Sequence, residues 1–304
     1  MNKKTIAVTL LAIVCLCLAF SACVDPSPDS DPYEGYQIFD VMSFNIRMDA
    51  VIDFFEKNWS ETRGELVCEY IRNSGADVVC LQEVCQSQYE DISASLGDLY
   101  SIVYYQRESG LNPEGLAILY TDDFELCGRS RFWLSSTPEV ESKDWGAANK
   151  RISVNAVLRH KASGLTFNVY TVHLDHISEL SRENGLSLIL RRAARYDYPA
   201  LLCGDFNTDE QSDCYSIIAD SMQDCRKVAP VTDRGLTYQN FGLKKEKPDS
   251  LPIDFCFADN AFKVFEFDIK NETASNGVYY SDHYAITTRI GLPLPDDAQA
   301  PPAE

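Results

Sequence analysis

The stretch LLCGDFNTDE, residues 201–210, runs from an apolar segment directly into Gly204, Asp205, Phe206 and Asn207. The apolar run is typical of a buried β-strand, and its abrupt end places a carboxylate and an amide two residues apart at one edge of a sheet. A single ending of this kind is most often a turn or a capping residue. Its meaning therefore depends on how the other strand-like runs of the chain end.

Strand-like and helix-like runs are distributed along most of the chain. Two segments, 60–75 and 178–197, have the apolar spacing of amphipathic helices, whereas segment 100–173 holds successive strands with little helix between them. A strictly alternating, doubly wound sheet fits this order badly. We expect an α/β (α+β) protein with two mixed β-sheets packed face to face and helices outside. The strand-like runs are 37–46, 77–82, 115–121, 151–159, 165–173, 199–204, 253–258 and 284–290.

Polar side chains recur where these runs begin or end. Their carboxylates are the hard oxygen ligands that Mg²⁺ or Mn²⁺ prefers, and no HExxH motif or cysteine cluster indicates zinc. Carboxylates, amides and histidines together suit in-line attack of water on a phosphoester, with a divalent cation offsetting the phosphoryl charge. The residues concerned are Asn45, Glu83, His173, Asp205, Asn207, Asp254, Asp282 and His283.

The ordered series FNIR, LQEV, EGLAILY, VHLDH, GDFN, IDFCF and SDH resembles the endonuclease/exonuclease/phosphatase superfamily, in a branch of bacterial lipoproteins. The series covers roughly residues 38–290. The resemblance implies a deoxyribonuclease I-like, four-layer sandwich and a metal-dependent phosphoesterase. In that family GDFN ends a central strand and presents its Asp and Asn to the scissile phosphate.

The resemblance also implies a metal site and a general base. Glu83 would be the principal ligand of Mg²⁺ or Mn²⁺, with Asn45 beside the same ion and Asp282 helping to hold it. His283 would activate water, oriented by the carboxylate of Asp254. We expect the pKa of such a base to lie near the working pH.

The remaining implied roles concern the phosphate and the nucleophile. Asp205 would assist proton transfer and Asn207 would orient the nucleophile, while His173 would hydrogen-bond the phosphate in the transition state. Arg151 stands where some members place an arginine on a phosphate, and Trp145 would help to shape the pocket.

The N-terminus predicts export and lipid anchoring. Residues 1–22 combine two lysines, an apolar run and a small-residue end before Cys23, as in a lipoprotein signal peptide, so Cys23 would be lipidated. An ordinary signal peptide with an incidental cysteine is the alternative. Residues 23–36 are rich in Pro, Ser and Asp and predict a flexible tether, followed by the catalytic domain at 37–291 and a loose tail at 292–304. We expect a monomer on the periplasmic or outer face of the envelope.

Charge and cysteine content narrow the function classes. The net charge of −19 gives no electrostatic attraction to a phosphate backbone, and no stable nucleic-acid partner is expected. A secreted nuclease that relies on bound cations remains an alternative, as does a catalytically inactive binding protein on the same scaffold. A small phosphorylated metabolite or a lipid head group is the favoured substrate.

Among the eight cysteines that follow Cys23, Cys214 and Cys225 could pair, but the spacing of cysteines does not assign disulfides.

Overall fold

Residues 31–295, the part of the chain that this computed structural model describes, form two mixed β-sheets flanked by helices. Only 31–34 are described of the N-terminal unit 1–34, and there the Glu34 amide donates to the Asp31 carbonyl. The seven strands of the first sheet are, in spatial order, β10 (Val231–Thr232), β12 (Lys263–Lys270), β13 (Ala285–Pro293), β1 (Tyr36–Asn45), β2 (Val78–Cys85), β4 (Glu114–Thr121) and β3 (Tyr100–Gln106).

The second sheet has six strands, and in each sheet two central strands run parallel. Its order is β5 (Phe124–Trp133), β6 (Ile152–His160), β7 (Thr166–His173), β8 (Ala200–Asp205), β11 (Asp254–Ala258) and β9 (Gln223–Asp224). The central parallel pairs are β1 with β2 and β7 with β8, so the carboxyl ends of each pair lie at one edge of its sheet. At the border of the first sheet, β10 also runs parallel to β12. The helices are α1 (Gly64–Ser74), α2 (Gln86–Leu96), α3 (Glu179–Ala193), α4 (Asp213–Ala219) and α5 (Cys225–Val228).

Alternating side chains of the central strands build three hydrophobic layers. Val41 and Val169 point into the core between the two sheets, because residues alternate between the faces of a strand. On the outer face of the first sheet, Leu81 packs under α1 and α2, and on that of the second, Leu202 packs under α3 and α4. The result is the predicted arrangement of helix, sheet, sheet and helix layers.

All eight predicted strands are present, with ends shifted by at most three residues. Both predicted helices are present, although the first is preceded by a π-turn at Trp59–Arg63. Helix α1 ends at Gly75 in the left-handed region with φ 68°, and Ser178 caps the amino end of α3 by accepting from the Ser181 amide. Helix α2 was missed because it is polar, with Ile92 and Leu96 its buried apolar residues.

Contacts of α3 and of the cysteines complete the description of the fold. Arg192 near the end of α3 pairs with Glu139 and lies over the Phe132 ring, so its guanidinium group is engaged by the protein. Cys214 lies in the layer under α3 and α4, whereas Cys225 lies in the core between the sheets, so these two cysteines do not pair.

The predicted export and anchoring segments lie at the two ends of the chain. The signal peptide, Cys23 and most of the predicted tether and tail lie outside the described residues. Strand β13 continues to Pro293, two residues into the predicted tail. Within residues 31–295, none of the helices combines the length and apolarity needed to span a bilayer.

Candidate active site

The predicted polar residues meet at the edge where the central strands end. Asn45 ends β1, His173 ends β7 and Asp205 ends β8. Strand β11 runs antiparallel to β8, so its first residue, Asp254, pairs in register with Asp205 at the same edge. His283 arrives from the loop before β13. The sheet topology therefore brings together residues that lie far apart in the sequence.

Asp205 is the centre of the cluster and is almost fully buried. Its Oδ1 accepts from the Asn207 amide at 2.8 Å, and its Oδ2 accepts from Asn45 Nδ2 at 3.0 Å. The same Oδ2 lies 3.5 Å from His173 Nε2 and 3.7 Å from His283 Nε2. Burial and the charge of Asp254 raise the pKa of Asp205 to about 7.

His283 and Asp254 form a buried pair. His283 Nδ1 lies 2.8 Å from Asp254 Oδ2, which fixes the ring and leaves Nε2 toward Asp205. Burial alone would lower the pKa of His283, but Asp254 and Asp205 raise it to about 10. The sequence expectation of a pKa near the working pH differs from this value, because it did not include a second carboxylate facing the ring.

Glu83 is aimed at the site by an irregularity in its strand. The pairing of β2 with β4 shifts register between Gln82 and Val84, and Glu83 has a left-handed φ of 62°. Such a bulge redirects a side chain, and a non-glycine residue in this region is strained by about 1–3 kcal/mol. Glu83 Oε1 accepts from Asn45 Nδ2 at 3.2 Å, and its Oε2 accepts from the Met48 amide at 3.0 Å.

Of the three predicted metal ligands, Asn45 and Glu83 are in contact, whereas Asp282 faces Arg47 instead. Asn45 contacts Glu83, while Asp282 Oδ2 lies 3.9 Å from Arg47 Nη1. The Ser281 hydroxyl donates to the Asn45 carbonyl at 2.6 Å, which ties the loop carrying Asp282 to the end of β1. Carboxylate and amide oxygens of this kind suit a hard divalent cation.

A second candidate group for a metal overlaps the residues predicted to transfer protons. Asp205, Asp254 and His283 each offer a ligand atom within 4.8 Å of the others, and residues 31–295 contain no further group of three His, Cys, Asp or Glu side chains that meets this criterion. Asp254 Oδ1 is buried without a hydrogen-bond partner. His283 Nδ1 is engaged by Asp254, however, so this nitrogen is less available as a ligand than the oxygens of Glu83 and Asn45.

Asn207, His173 and Arg151 complete the predicted set. Asn207 has a φ of 50° and donates from Nδ2 to the Leu174 carbonyl at 3.1 Å. Burial and the charge of Arg151 hold the pKa of His173 well below its usual value, so this ring is neutral. Arg151 is buried, and its Nε lies 4.0 Å from Asp175 Oδ2.

Sequence reasoning missed four residues of this region. Arg47 pairs with Asp53 at 3.0 Å beside the acidic group, and Asp175 accepts from the backbone amides of Ala148 and Asn149, which hold the loop before Arg151. Arg47 and Glu114 belonged to the quoted motifs FNIR and EGLAILY, but no function was predicted for either residue. Asp175 likewise lay in the quoted motif VHLDH without a role, whereas Arg107 lay outside every quoted motif. Trp145, predicted to shape the pocket, has a φ of 54°, and its carbonyl accepts from the Ser178 hydroxyl at 2.6 Å.

Comparisons with known proteins agree with this geometry. The model of the Endonuclease/Exonuclease/phosphatase family matches residues 42–283, a range that includes every predicted catalytic and metal-binding residue. The Nocturnin of Drosophila melanogaster is 31% identical over 175 residues, covering 52% of this chain and 26% of that protein. This chain therefore spans about a quarter of the length of that curated relative.

Solved structures show the same fold over nearly their whole length. The endonuclease/exonuclease/phosphatase from Bacteroides vulgatus is 30% identical with a TM-score of 0.79, covering 84% of this chain and 99% of that one. A mannosyl-6-phosphatase of Bacteroides thetaiotaomicron, at 24% identity and TM-score 0.76, covers 83% and 99% and shows a likeness of fold. By its matched motifs, its sheet topology and these relatives, the chain belongs to the endonuclease/exonuclease/phosphatase family of phosphoric ester hydrolases.

Proposed function

We propose that this protein hydrolyses a phosphate ester by in-line attack of activated water, on a small phosphorylated metabolite or a lipid head group. The observation that carries the proposal is the convergence on Asp205 of an amide, Asn45, and two imidazoles, those of His173 and His283. Proton transfer, orientation of the nucleophile and stabilisation of phosphoryl charge need donors and acceptors held together in this way.

Each side chain has a chemical role that follows from its surroundings. The pair formed by His283 and Asp205 would accept the proton of the attacking water, with Asp254 fixing the His283 ring. Asn207 would orient that water. The neutral ring of His173 would donate a hydrogen bond to a phosphoryl oxygen.

Glu83, with Asn45 and Asp282, would hold Mg²⁺ or Mn²⁺. Glu83 and Asn45 are already in contact, and both offer hard oxygen ligands. When bound, the cation supplies charge that offsets the negative phosphoryl oxygens. Arg47, which pairs with Asp53, would balance the acidic side chains beside this site.

Two alternatives rest on the same scaffold. A secreted nuclease would use the same chemistry, but the net charge of −19 disfavours capture of a polyanion. An inactive binding protein would gain nothing from the buried pair of His283 and Asp254, because removing this pair from water costs stability. Catalysis is a reason to accept that cost.

We also propose that the protein is an exported, lipid-anchored monomer with no stable nucleic-acid partner.

The test is a turnover screen of the purified full-length chain in detergent. Sugar phosphates, lipid head-group phosphates, nucleotides and single-stranded DNA would be incubated with Mg²⁺ or Mn²⁺ and with EDTA. We expect metal-dependent release of phosphate or of a phosphorylated product from small esters. A preference for DNA would support the nuclease alternative, and inactivity on every ester with either cation would contradict the proposal.

A further inference from the structure

A pocket with two arginines lies next to His173 and extends the proposed site. It lies between the start of β4 and the start of β6. The charged side chains that line it are Arg107, Glu114 and Arg151, and Leu116 and Ile152 form apolar walls. Since His173 lines the same pocket, a phosphate held by His173 would have an oxygen facing these arginines.

The arginines are incompletely satisfied by the protein. Arg107 Nη1 pairs with Glu114 Oε2 at 2.7 Å, and Arg107 Nε lies 3.5 Å from Glu108 Oε1. Arg151 has Asp175 Oδ2 4.0 Å from its Nε. The Nε atoms of both Arg107 and Arg151 are buried without a hydrogen-bond acceptor. Buried donors are normally paired, so an acceptor supplied by a ligand would complete this arrangement.

The carboxylate nearest to Arg151 is already used by other groups. Asp175 accepts from the amides of Ala148 and Asn149 through Oδ2, and from those of Ile177 and Ser178 through Oδ1. These contacts hold the loop that leads into Arg151. Asp175 therefore places the arginine while leaving its charge available to a ligand.

The backbone around both arginines is fixed. The Trp133 indole donates to the Arg107 carbonyl at 2.7 Å, and the Arg107 amide donates to the Glu114 carbonyl at 2.9 Å. The Leu134 amide donates to the Arg151 carbonyl at 2.8 Å. Both arginines also line one pocket, and two positive charges there favour binding of an anion.

We propose that Arg107, together with Arg151, binds the terminal oxygens of a phosphate monoester, and that Arg107 makes the enzyme a phosphomonoesterase. A monoester carries two negative charges and three terminal oxygens at neutral pH, whereas a diester carries one charge and two such oxygens. The second ester substituent of a diester would meet the walls formed by Leu116 and Ile152 and would leave one arginine without its acceptor. This inference rests on the proposed function, whose reaction it narrows.

The test compares two esters with the same leaving group. The kcat/KM values for p-nitrophenyl phosphate and bis(p-nitrophenyl) phosphate would be measured for the wild type, Arg107→Ala, Arg107→Lys and the control Arg159→Ala. Arg159 pairs with Glu125 at the far end of β6, so it matches Arg107 in charge and pairing while lying outside the site. The shift in thermal midpoint with added inorganic phosphate gives a second readout that does not depend on turnover.

We expect Arg107→Ala to lower kcat/KM for the monoester by about tenfold or more, because charge-assisted contacts to the phosphate are lost, and to change the diester value much less. Arg107→Lys should recover part of the lost kcat/KM, since lysine restores the positive charge but not the planar guanidinium group with its paired N–H donors. Inorganic phosphate should raise the midpoint of the wild type and of Arg159→Ala more than that of Arg107→Ala.

The outcomes separate this inference from the proposed function. Equal losses on both esters in Arg107→Ala, or an unchanged phosphate shift, would overturn the role of Arg107 while leaving the phosphoesterase proposal intact. A wild type that favours the diester would overturn the monoester assignment. A wild type inactive on every ester of the broader screen would overturn both.

Discussion

At the scale of single residues, the site depends on a few side chains placed by unusual backbone conformations. Glu83 and Asn207 both have left-handed φ values; Glu83 lies at the bulge of β2, and Asn207 lies two residues after β8. These conformations cost free energy and persist where the surrounding fold holds them. Their occurrence together at one edge of the sheets fits a site that has been shaped for chemistry.

The role of Glu83 is testable by removing its charge without changing its size. Glu83→Gln should lower the affinity for Mg²⁺ or Mn²⁺ by about tenfold or more and lower turnover with it, since a charged ligand is lost. Calorimetric titration with each cation measures the affinity. Glu65→Gln, an exposed position on the first turn of α1, serves as the control. Unchanged cation binding in Glu83→Gln would remove this residue from the site.

Sequence reasoning located strand-end residues better than it located their partners. Asp205 and His283 were predictable because polar residues at strand ends stand out against apolar runs. The role of Arg107, and the partners of Asp175 within its quoted motif VHLDH, were not predictable, because they come from contacts with segments distant in the sequence. The raised pKa of His283 could not be predicted from the sequence either, since it depends on Asp205 and Asp254 lying together at one sheet edge.

At the scale of the elements, close packing of β7 against β8 fixes the position of Asp205. Gly204 has a φ of 149°, and a Cβ atom there would lie 2.1 Å from the Val172 carbonyl oxygen. A side chain would therefore force the two strands apart beside Asp205. Eight of the strands were predicted from their apolar runs, whereas the longer strands β3, β5 and β12 were missed. The two-residue strands β9 and β10 were missed as well, because strands this short have no periodicity.

Gly204→Ala should destabilise the protein by roughly 2–4 kcal/mol, because it combines a steric clash with an unfavourable backbone conformation. Urea denaturation monitored by circular dichroism measures the change. Gly164→Ala is the matched control, since Gly164 has a φ of 72° but no atom within 4 Å of the added Cβ. It should cost about 1 kcal/mol. Equal costs at the two positions would show that the clash with Val172 is unimportant.

At the scale of the whole molecule, the residues that match the family are separate in the sequence from the predicted lipid-anchoring site. The family model covers 42–283, whereas the expected lipid site at Cys23 lies outside the described residues. If Cys23 is lipidated, Cys23→Ser should move the protein from the membrane fraction to the soluble fraction. Cys127→Ser, at an exposed cysteine of the body, should leave the distribution unchanged. An identical distribution for wild type and Cys23→Ser would show that the lipoprotein prediction is wrong.

The central claim is that His283, held by Asp254 and facing Asp205, takes part in proton transfer during phosphoester hydrolysis. The most direct measurement is kcat of His283→Ala on the best substrate found, with circular dichroism and cation titration as checks on the fold and the metal site. We predict that kcat falls by about a hundredfold or more while both checks stay unchanged, and that His283→Asn does not restore it, because an amide cannot take up and release a proton as an imidazole does. Turnover by His283→Ala close to that of the wild type would contradict the account and return His283 to a structural role.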